Sequence, residues 1–499
     1  MKSVAKILAE KIRDGSIKTA EQLEKEKLIV SKRMGSGNII KNSDIAALLP
    51  DKYRQLLKIK HVRTASGVAN IAVMWMQKGS TCPGKCIYCP QGKGSPKAYT
   101  GTEPTTLRAL RNNFDPYMQV KNRLKQLHAT GHVTDKCELI IMGGTFMFWN
   151  RDSRSEFVKR CFDALNDQDS HSLEESQKIN ESTLHRCIGM TIETRADYCN
   201  EDHIKEMLEL GCTRVELGVQ STSDEILKKI NRMHGTKENV DAIKRLKEAG
   251  LKVCVHYMPG LFGLVNSKER MEIEAFRLLF TNPDYRPDEL KIYPTAVVAG
   301  TQLYKLWKAG SYEPLSNDEA TELLIELKKI VPSYVRIKRV MRDISEHEVA
   351  AGPKTTNLRQ LIKERAACRC IRCREIGITK PKNIELCRFE YDASGGKEIF
   401  LSFEDTEQDM ILGFLRLRLD GNTAKIRELH VYGETVPIGS SIPSSSQHKG
   451  FGSKLLIEAE SIAKSAGCNA IQVTSGIGAR EYYRKFGYVL DGFYMVKII

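Results

Sequence analysis

No run of apolar residues in this chain of 499 residues approaches the ~20 that a bilayer-spanning helix requires, so no membrane span is expected. The stretch from Met1 to Arg13 reads as a charged amphipathic helix. It lacks the apolar core and cleavage site of a secretory signal, and the expected compartment is the cytoplasm. No internal repeat recurs at solenoid periods, which excludes a repeat array. Acidic residues are in short supply: 62 Asp and Glu stand against 77 Lys and Arg, a formal charge of +15. Residues 1–63 hold 15 basic against 7 acidic residues, and residues 328–388 hold 16 against 6. Two separated basic blocks suit a composite surface for the phosphates of a nucleic acid.

The length suggests several domains. Residues 1–63 read as a basic helical segment with a break at Gly35-Ser36-Gly37. From residue 64 to 316, apolar strands alternate with amphipathic helices. The strands are Ile71–Trp75, Glu138–Met142, Gly189–Ile192, Arg214–Gly218, Lys252–His256 and Leu290–Tyr293, and the clearest helices are Asp202–Leu210 and Glu238–Ala249. Repeated strand–helix units imply an α/β fold with a parallel sheet closed, or partly closed, into a barrel, with its chemistry at the C-terminal strand ends. Residues 317–385 read as a basic, helix-rich linker. Residues 386–499 read as a second α/β unit, with a helix at Gly452–Ser465 between strands.

Six of the 14 cysteines fall in two clusters. A reducing compartment favours metal or catalytic use over disulfides. The other eight (Cys137, Cys161, Cys187, Cys199, Cys212, Cys254, Cys387 and Cys468) read as ordinary buried thiols. Cys82, Cys86 and Cys89 have the spacing Cys-x3-Cys-x2-Cys just after a strand. Three thiolates in one loop can hold three irons of a 4Fe–4S cluster and leave the fourth iron open. S-adenosylmethionine chelates that iron in radical enzymes, and Tyr88 is placed to pack near its adenine. Gly143 and Gly144 end the second strand and allow a ligand's close approach. Glu193 and Arg195 follow the third strand and Gln220 the fourth, as further cofactor contacts. Cys368, Cys370 and Cys373 are compact enough for one zinc ion, with His347 or Cys387 as candidates for a fourth ligand. The interleaved Arg369, Arg372 and Arg374 could reach phosphates.

In the C-terminal unit, Gln447-His-Lys449-Gly450-Phe451-Gly452 precedes the amphipathic helix. Glycines at this point let consecutive backbone N–H groups and the helix N-terminus face a pyrophosphate. The pattern is that of the acetyl-CoA loop of GNAT acetyltransferases. Tyr482-Tyr483 downstream resembles the segment whose tyrosine lies near the thioester in that fold.

The two modules in this order resemble the catalytic subunit of Elongator in its stand-alone archaeal-type form. The likeness runs over nearly the whole chain, through Arg63-Thr-Ala-Ser-Gly-Val-Ala, Tyr99-Thr-Gly-Thr-Glu-Pro-Thr, Ile192-Glu-Thr-Arg-Ala-Asp-Tyr, Lys291-Ile-Tyr-Pro-Thr, Arg427-Glu-Leu-His-Val-Tyr-Gly and Asp491-Gly-Phe-Tyr-Met-Val-Lys. It departs from the family pattern at Gln91, Ala196 and Phe262. The resemblance implies a radical SAM barrel of partial TIM type followed by a GNAT-like domain. It implies carboxymethylation of the wobble uridine in the anticodon stem-loop of tRNA, with acetyl-CoA as substrate. Lys291 would orient the thioester or the uracil, Tyr482 and Tyr483 would position acetyl-CoA, and Glu428 would join the acetyl-CoA contacts. A homodimer or a stand-alone enzyme would both be compatible, served by an electron donor that the sequence does not name. The competing reading is a protein lysine acetyltransferase whose iron–sulfur domain is only structural.

Overall fold

The structure, a computed structural model, describes residues 2–34, 40, 42–46, 48–50, 53–57, 67–77, 81–265, 269–355, 358–363, 365–377, 379–432 and 450–499. The Gly35-Ser36-Gly37 break, Gln447 and Lys449 lie outside the described residues.

Six strands follow one another in the barrel region: β1 (Ala69–Met74), β2 (Lys136–Met142), β3 (Arg186–Thr194), β4 (Arg214–Gln220), β5 (Lys252–Tyr257) and β6 (Glu289–Ile292). Two short strands, β7 (Val297–Val298) and β9 (Val349–Ala351), pair as a separate ribbon, and between them β8 (Arg336–Val340) completes the large sheet. The strand order is β1-β2-β3-β4-β5-β6-β8, every pair parallel. Among the described residues β1 and β8 are not paired, so the barrel is partial. Helices cross between strands where the sequence supplies caps. Asn200 accepts the amide of His203 to start Glu201–Glu209, and Ser316 with Glu319 closes a capping box on Asn317–Ile330.

Strand alternation sorts the side chains by face. Leu139, Ile141, Met190, Ile192, Val215, Leu217, Val253, Val255 and Ile337 turn outward into the main core under the helices. Their alternates, Glu138, Glu193, Arg214, Glu216, Lys252, His256, Glu289, Lys291 and Lys338, turn inward. The lumen is therefore charged, unlike the branched apolar filling of a closed (β/α)8 barrel.

The stretch read as a helix-rich linker contains one long helix, Asn317–Ile330, and then β8. Arg336-Ile-Lys-Arg-Val breaks the alternation at the adjacent Lys338 and Arg339, and its three charges read as surface helix until a neighbouring strand supplies acidic partners. The C-terminal unit likewise begins earlier than residue 386, with β10 (Ile384–Ala393). β11 (Gly396–Asp405), β12 (Met410–Asp420) and β13 (Thr423–Val431) follow it antiparallel. β14 (Ala470–Val473) then runs parallel to β13, and the chain ends on a hairpin of β15 (Val489–Asp491) and β16 (Tyr494–Ile498).

The second sheet docks at the N-terminal ends of the barrel strands. Arg427 spans Asp288, just before β6, and Glu398 on β11. Gly476 and Gly478 lie so close to β3 that a Cβ on either would fall 2.2 Å from the Ile188 backbone or 2.5 Å from Arg186. The N-terminal helices Lys2–Arg13 and Ala20–Arg33 carry a small core of their own around Leu8, Ile12, Leu23 and Val30.

Candidate functional site

The C-terminal strand ends enclose a cavity of about 410 Å³ lined by Cys82, Cys86, Cys89, Gly144, Glu193, Arg195, Gln220 and Lys291 among others. The structure thus brings together residues separated by more than 200 positions in the chain. Hydrogen-bond donors face two of the three thiols. Thr145 Oγ1 lies 3.1 Å and the Gly84 amide 3.4 Å from Cys82 Sγ, and Arg232 Nη1 lies 3.6 Å from Cys86 Sγ. Such donors suit thiolate ligands. Cys368, Cys370 and Cys373 form a compact group. A tetrahedral zinc holds its sulfurs roughly 3.8 Å apart, given Zn–S bonds of about 2.3 Å. The sulfurs of Cys368, Cys370 and Cys373, all within 4.8 Å of one another, are near that spacing.

Gly143 and Gly144 have φ of +128° and +101°, a region that favours glycine. A Cβ on Gly143 would fall 2.7 Å from the Trp75 carbonyl, so that glycine serves the backbone; Gly144 lines the cavity. Arg195 is locked to Asp197 through two hydrogen bonds of 2.9 and 2.8 Å, while its buried Nη1 has no hydrogen-bond partner. Gln220 adopts φ of +68°, and its carbonyl accepts the Met258 amide.

Lys291 is only 9% exposed and touches two carboxylates. Its Nζ is hydrogen-bonded to Glu216 Oε2 and lies 3.6 Å from Glu193 Oε1. His256 Nε2 lies 3.0 Å from Glu216 Oε2, and Tyr99 donates to Glu193 at 3.1 Å. Burial works against the charge of Lys291, yet Glu216 holds it well above the ordinary lysine value. Burial would raise Glu216, but Lys291 and His256 hold it well below the carboxylate range. Burial pushes Glu193 up, against the pull of Lys291. Sequence reasoning missed Tyr99, Glu216, His256 and Arg232. Period-two alternation in β4 and β5 would have found Glu216 and His256; Arg232 carries no signal beyond its charge.

At the second site, Gly450 caps the helix Phe451–Ser465 with φ of +80°. A Cβ on Gly452 would fall 2.9 Å from the Tyr482 hydroxyl and 3.7 Å from Val431. Tyr482 is 37% exposed, whereas Tyr483 is buried edge-on between Tyr482 and Tyr488. Strands β13 and β14 pair from Thr423↔Ala470 to Ile426↔Val473 and then part, with Val431 of β13 beside Gly452. Glu428 lies on the other face of β13, bonded to Arg416 at 2.9 Å and to Lys252 of the barrel at 3.1 Å. It stands at the junction of the two sheets, apart from the glycine loop.

Neither His347 nor Cys387 joins the compact cysteine group. Cys387 sits half-buried on β10, while the other seven scattered cysteines are buried. Arg369 and Arg374 both bond Asp409 at 2.9 and 2.8 Å, and Arg372 meets Glu375 at 3.0 Å. These three guanidinium groups already hold carboxylates. No helix among the described residues is long and apolar enough to cross a membrane.

The radical SAM superfamily model matches residues 76–276, the radical SAM C-terminal domain 287–367, and the GNAT acetyltransferase family 369–488. The first match implies a 4Fe–4S cluster with S-adenosylmethionine, the last acetyl-CoA. The chain is 46% identical to a tRNA uridine(34) acetyltransferase of Methanocaldococcus jannaschii, over 97% of this chain and 94% of that one. It is 43% identical to Elongator complex protein 3 of Homo sapiens, over 91% and 89%. The solved structure of Methanocaldococcus infernus Elp3 with an N-terminal deletion superposes with a TM-score of 0.76, at 44% identity, over 87% of this chain and all of that one.

Proposed function

Because this chain belongs to the family of Elongator complex protein 3 and the archaeal tRNA uridine(34) acetyltransferases, we propose that it carboxymethylates C5 of the wobble uridine of tRNA, drawing the two carbons from acetyl-CoA. The observation that carries this reading is the pairing of two built sites in one chain. A thiol triad opens on a cavity at one end of the barrel, and a glycine-capped helix beside parted strands belongs to the sheet docked at the other.

Cys82, Cys86 and Cys89 would hold three irons, with Gly144, Glu193, Arg195 and Gln220 around S-adenosylmethionine. The bound cluster and S-adenosylmethionine supply a carbon radical able to take a hydrogen atom from the acetyl methyl group. The methyl carbon would then add to C5, the adduct would lose the C5 proton to solvent and one electron to the oxidised cluster, and water would split the thioester into the carboxylate and free coenzyme A. The base must leave its stack to be reached, which is cheapest in an anticodon loop. Lys291, fixed by Glu216, would present its ammonium to the thioester or the uracil carbonyl. Gly450, Phe451 and Gly452, with Gln447 and Lys449, would cradle the pyrophosphate, and Tyr482 would face the thioester. Cys368, Cys370 and Cys373 would hold a structural zinc.

Anaerobic incubation with tRNA, acetyl-CoA, S-adenosylmethionine and a reductant, followed by nucleoside mass spectrometry, tests this. Carboxymethyluridine and 5′-deoxyadenosine are expected together. Acetylated lysine on a protein with unchanged tRNA nucleosides would replace this reading with a protein acetyltransferase.

A further inference from the structure

Glu272 is a carboxylate sealed inside the protein, 4% exposed, near the start of the helix Glu269–Thr281. Among the described residues no lysine, arginine or histidine pairs with it, and its partners are neutral donors. The Tyr257 hydroxyl donates to Oε1 at 3.1 Å, the Gly260 amide donates to Oε2 at 2.9 Å, and the Phe262 amide bonds the same carboxylate. Burying a carboxylate without a cation is costly, and three donors on one group offset part of that cost.

Two of these donors belong to the loop that follows β5. The strand ladder ends at Tyr257, so the amides of Gly260 and Phe262 need acceptors elsewhere. Glu272 takes both. The carbonyls of the same loop are held by other partners: Pro259 by the Thr295 amide at 2.8 Å and Gly260 by the Tyr312 hydroxyl at 3.1 Å. Gly260 has φ of +92°, which lets the backbone turn between its two sets of bonds. The loop so fixed meets the radical site twice. Met258 lines the cavity, and its amide donates at 2.9 Å to the carbonyl of Gln220, another lining residue. Met258, Leu261 and Phe262 also share one apolar cluster with Ile87 and Tyr88 of the thiol loop, and Cys86 and Cys89 pack against that cluster.

We propose that Glu272 is a positioning residue of the radical site: by clamping the loop after β5 it holds Met258 and Gln220 against S-adenosylmethionine and keeps the apolar bed under the thiol loop in place. The proposal rests on the function proposed above. Glu272 acts through the loop, since its oxygens are taken up by Tyr257 and the two amides. Among the described residues the titratable groups facing it are Tyr257 and Tyr312, whose hydroxyls burial holds above their ordinary value. Burial likewise pushes Glu272 up to about 7 from an ordinary 4.5. The clamped carboxyl thus holds its proton more tightly than a released, hydrated one, so acid favours the clamp and it loosens as pH rises through 7.

Backbone amide exchange in residues 258–263 of the full, anaerobically reconstituted chain measures the clamp without reference to turnover. Glu272→Ala should speed that exchange at least about tenfold, and should raise the KM for S-adenosylmethionine in deoxyadenosine formation by a similar factor. Glu272→Gln keeps an acceptor for the amides and a donor for the Tyr257 hydroxyl, so at pH 7 both quantities should stay within about threefold of wild type. Between pH 7 and pH 9 the wild type should gain in exchange rate and in KM relative to the Gln variant at the same pH. Unchanged exchange in the Ala variant overturns the clamp, and faster exchange with an unchanged KM overturns its role at the radical site. Parallel pH profiles of wild type and the Gln variant overturn the proposal even if the Ala variant does not fold. Wild-type protein that forms no deoxyadenosine would instead refute the proposed function, while amide exchange still reports on the clamp.

Discussion

Arg427 of the second sheet closes a bidentate pair on Asp288 of the barrel, with N–O distances of 2.7 and 2.6 Å and no solvent on either side chain. The same guanidinium bonds Glu398 at 2.7 Å. One side chain thus ties the loop before β6 to β11. Removing one member of a buried pair strands the other charge and costs about 3–5 kcal/mol. Arg427→Ala should therefore lower the thermal midpoint sharply in calorimetry. Arg427→Lys should recover only part of the loss, because an ammonium cannot make both parallel bonds. An Ala variant as stable as wild type would show that the junction carries no such load.

Lys247 lies beside this pair, wholly buried, 3.8 Å from Asp288 and 3.6 Å from Glu398, with no hydrogen bond on its Nζ. Burial pushes it down to about 8 from an ordinary 10.5. Between those values the unfolded chain holds a proton that the folded chain lacks, so this group's contribution to stability rises with pH. The urea midpoint of wild type relative to Lys247→Met should rise between pH 8 and pH 10. A flat difference would place a full positive charge in the junction throughout.

Cys82→Ala, Cys86→Ala and Cys89→Ala should each abolish deoxyadenosine formation and iron–sulfur absorbance after anaerobic reconstitution, since each thiolate would hold one iron. Acetyl-CoA binding should persist, because Gly450 and Tyr482 belong to the other sheet. Full absorbance and turnover in the triple variant would sink the radical reading.

Gly452→Leu should weaken acetyl-CoA binding by at least about tenfold, a loss of roughly 1.4 kcal/mol, because its Cβ already falls 2.9 Å from the Tyr482 hydroxyl. Tyr482→Ala should relieve part of that clash. Calorimetric titration reads both, and tRNA binding serves as the control. Unchanged acetyl-CoA affinity would place the ligand elsewhere.

Deleting residues 1–63 should weaken tRNA binding and flatten its salt dependence by about 0.7–0.9 in the log–log slope for each phosphate that is no longer neutralised. The barrel should survive, since the N-terminal helices carry a separate core around Leu8 and Leu23. Equal affinity and slope in the truncated chain would make this block a solvated helical cap. The arginines at 369, 372 and 374 are expected to add little to that slope, because each already holds a carboxylate.

Features set by a few neighbouring residues were legible before any folding was known. Three thiols within eight residues must share one loop, and Gly450 and Gly452 at a helix start must bare backbone amides whatever surrounds them. Apolar alternation placed six barrel strands to within a few residues, because an outward face under helices is apolar wherever the strand lies. What the inward face became depended on how the sheet curls. Glu138, Arg214, Glu216, Lys252 and Glu289 carry no sign in the sequence of whether they face solvent or a lumen, and β8 lies in the stretch read as a helix-rich linker. Alternation tells that a strand has two faces but not what the second one meets. Only curling the sheet turns those charges on one another, where low solvent access makes Glu216 fix Lys291, and only the docking of the second sheet sets Glu428 against Lys252.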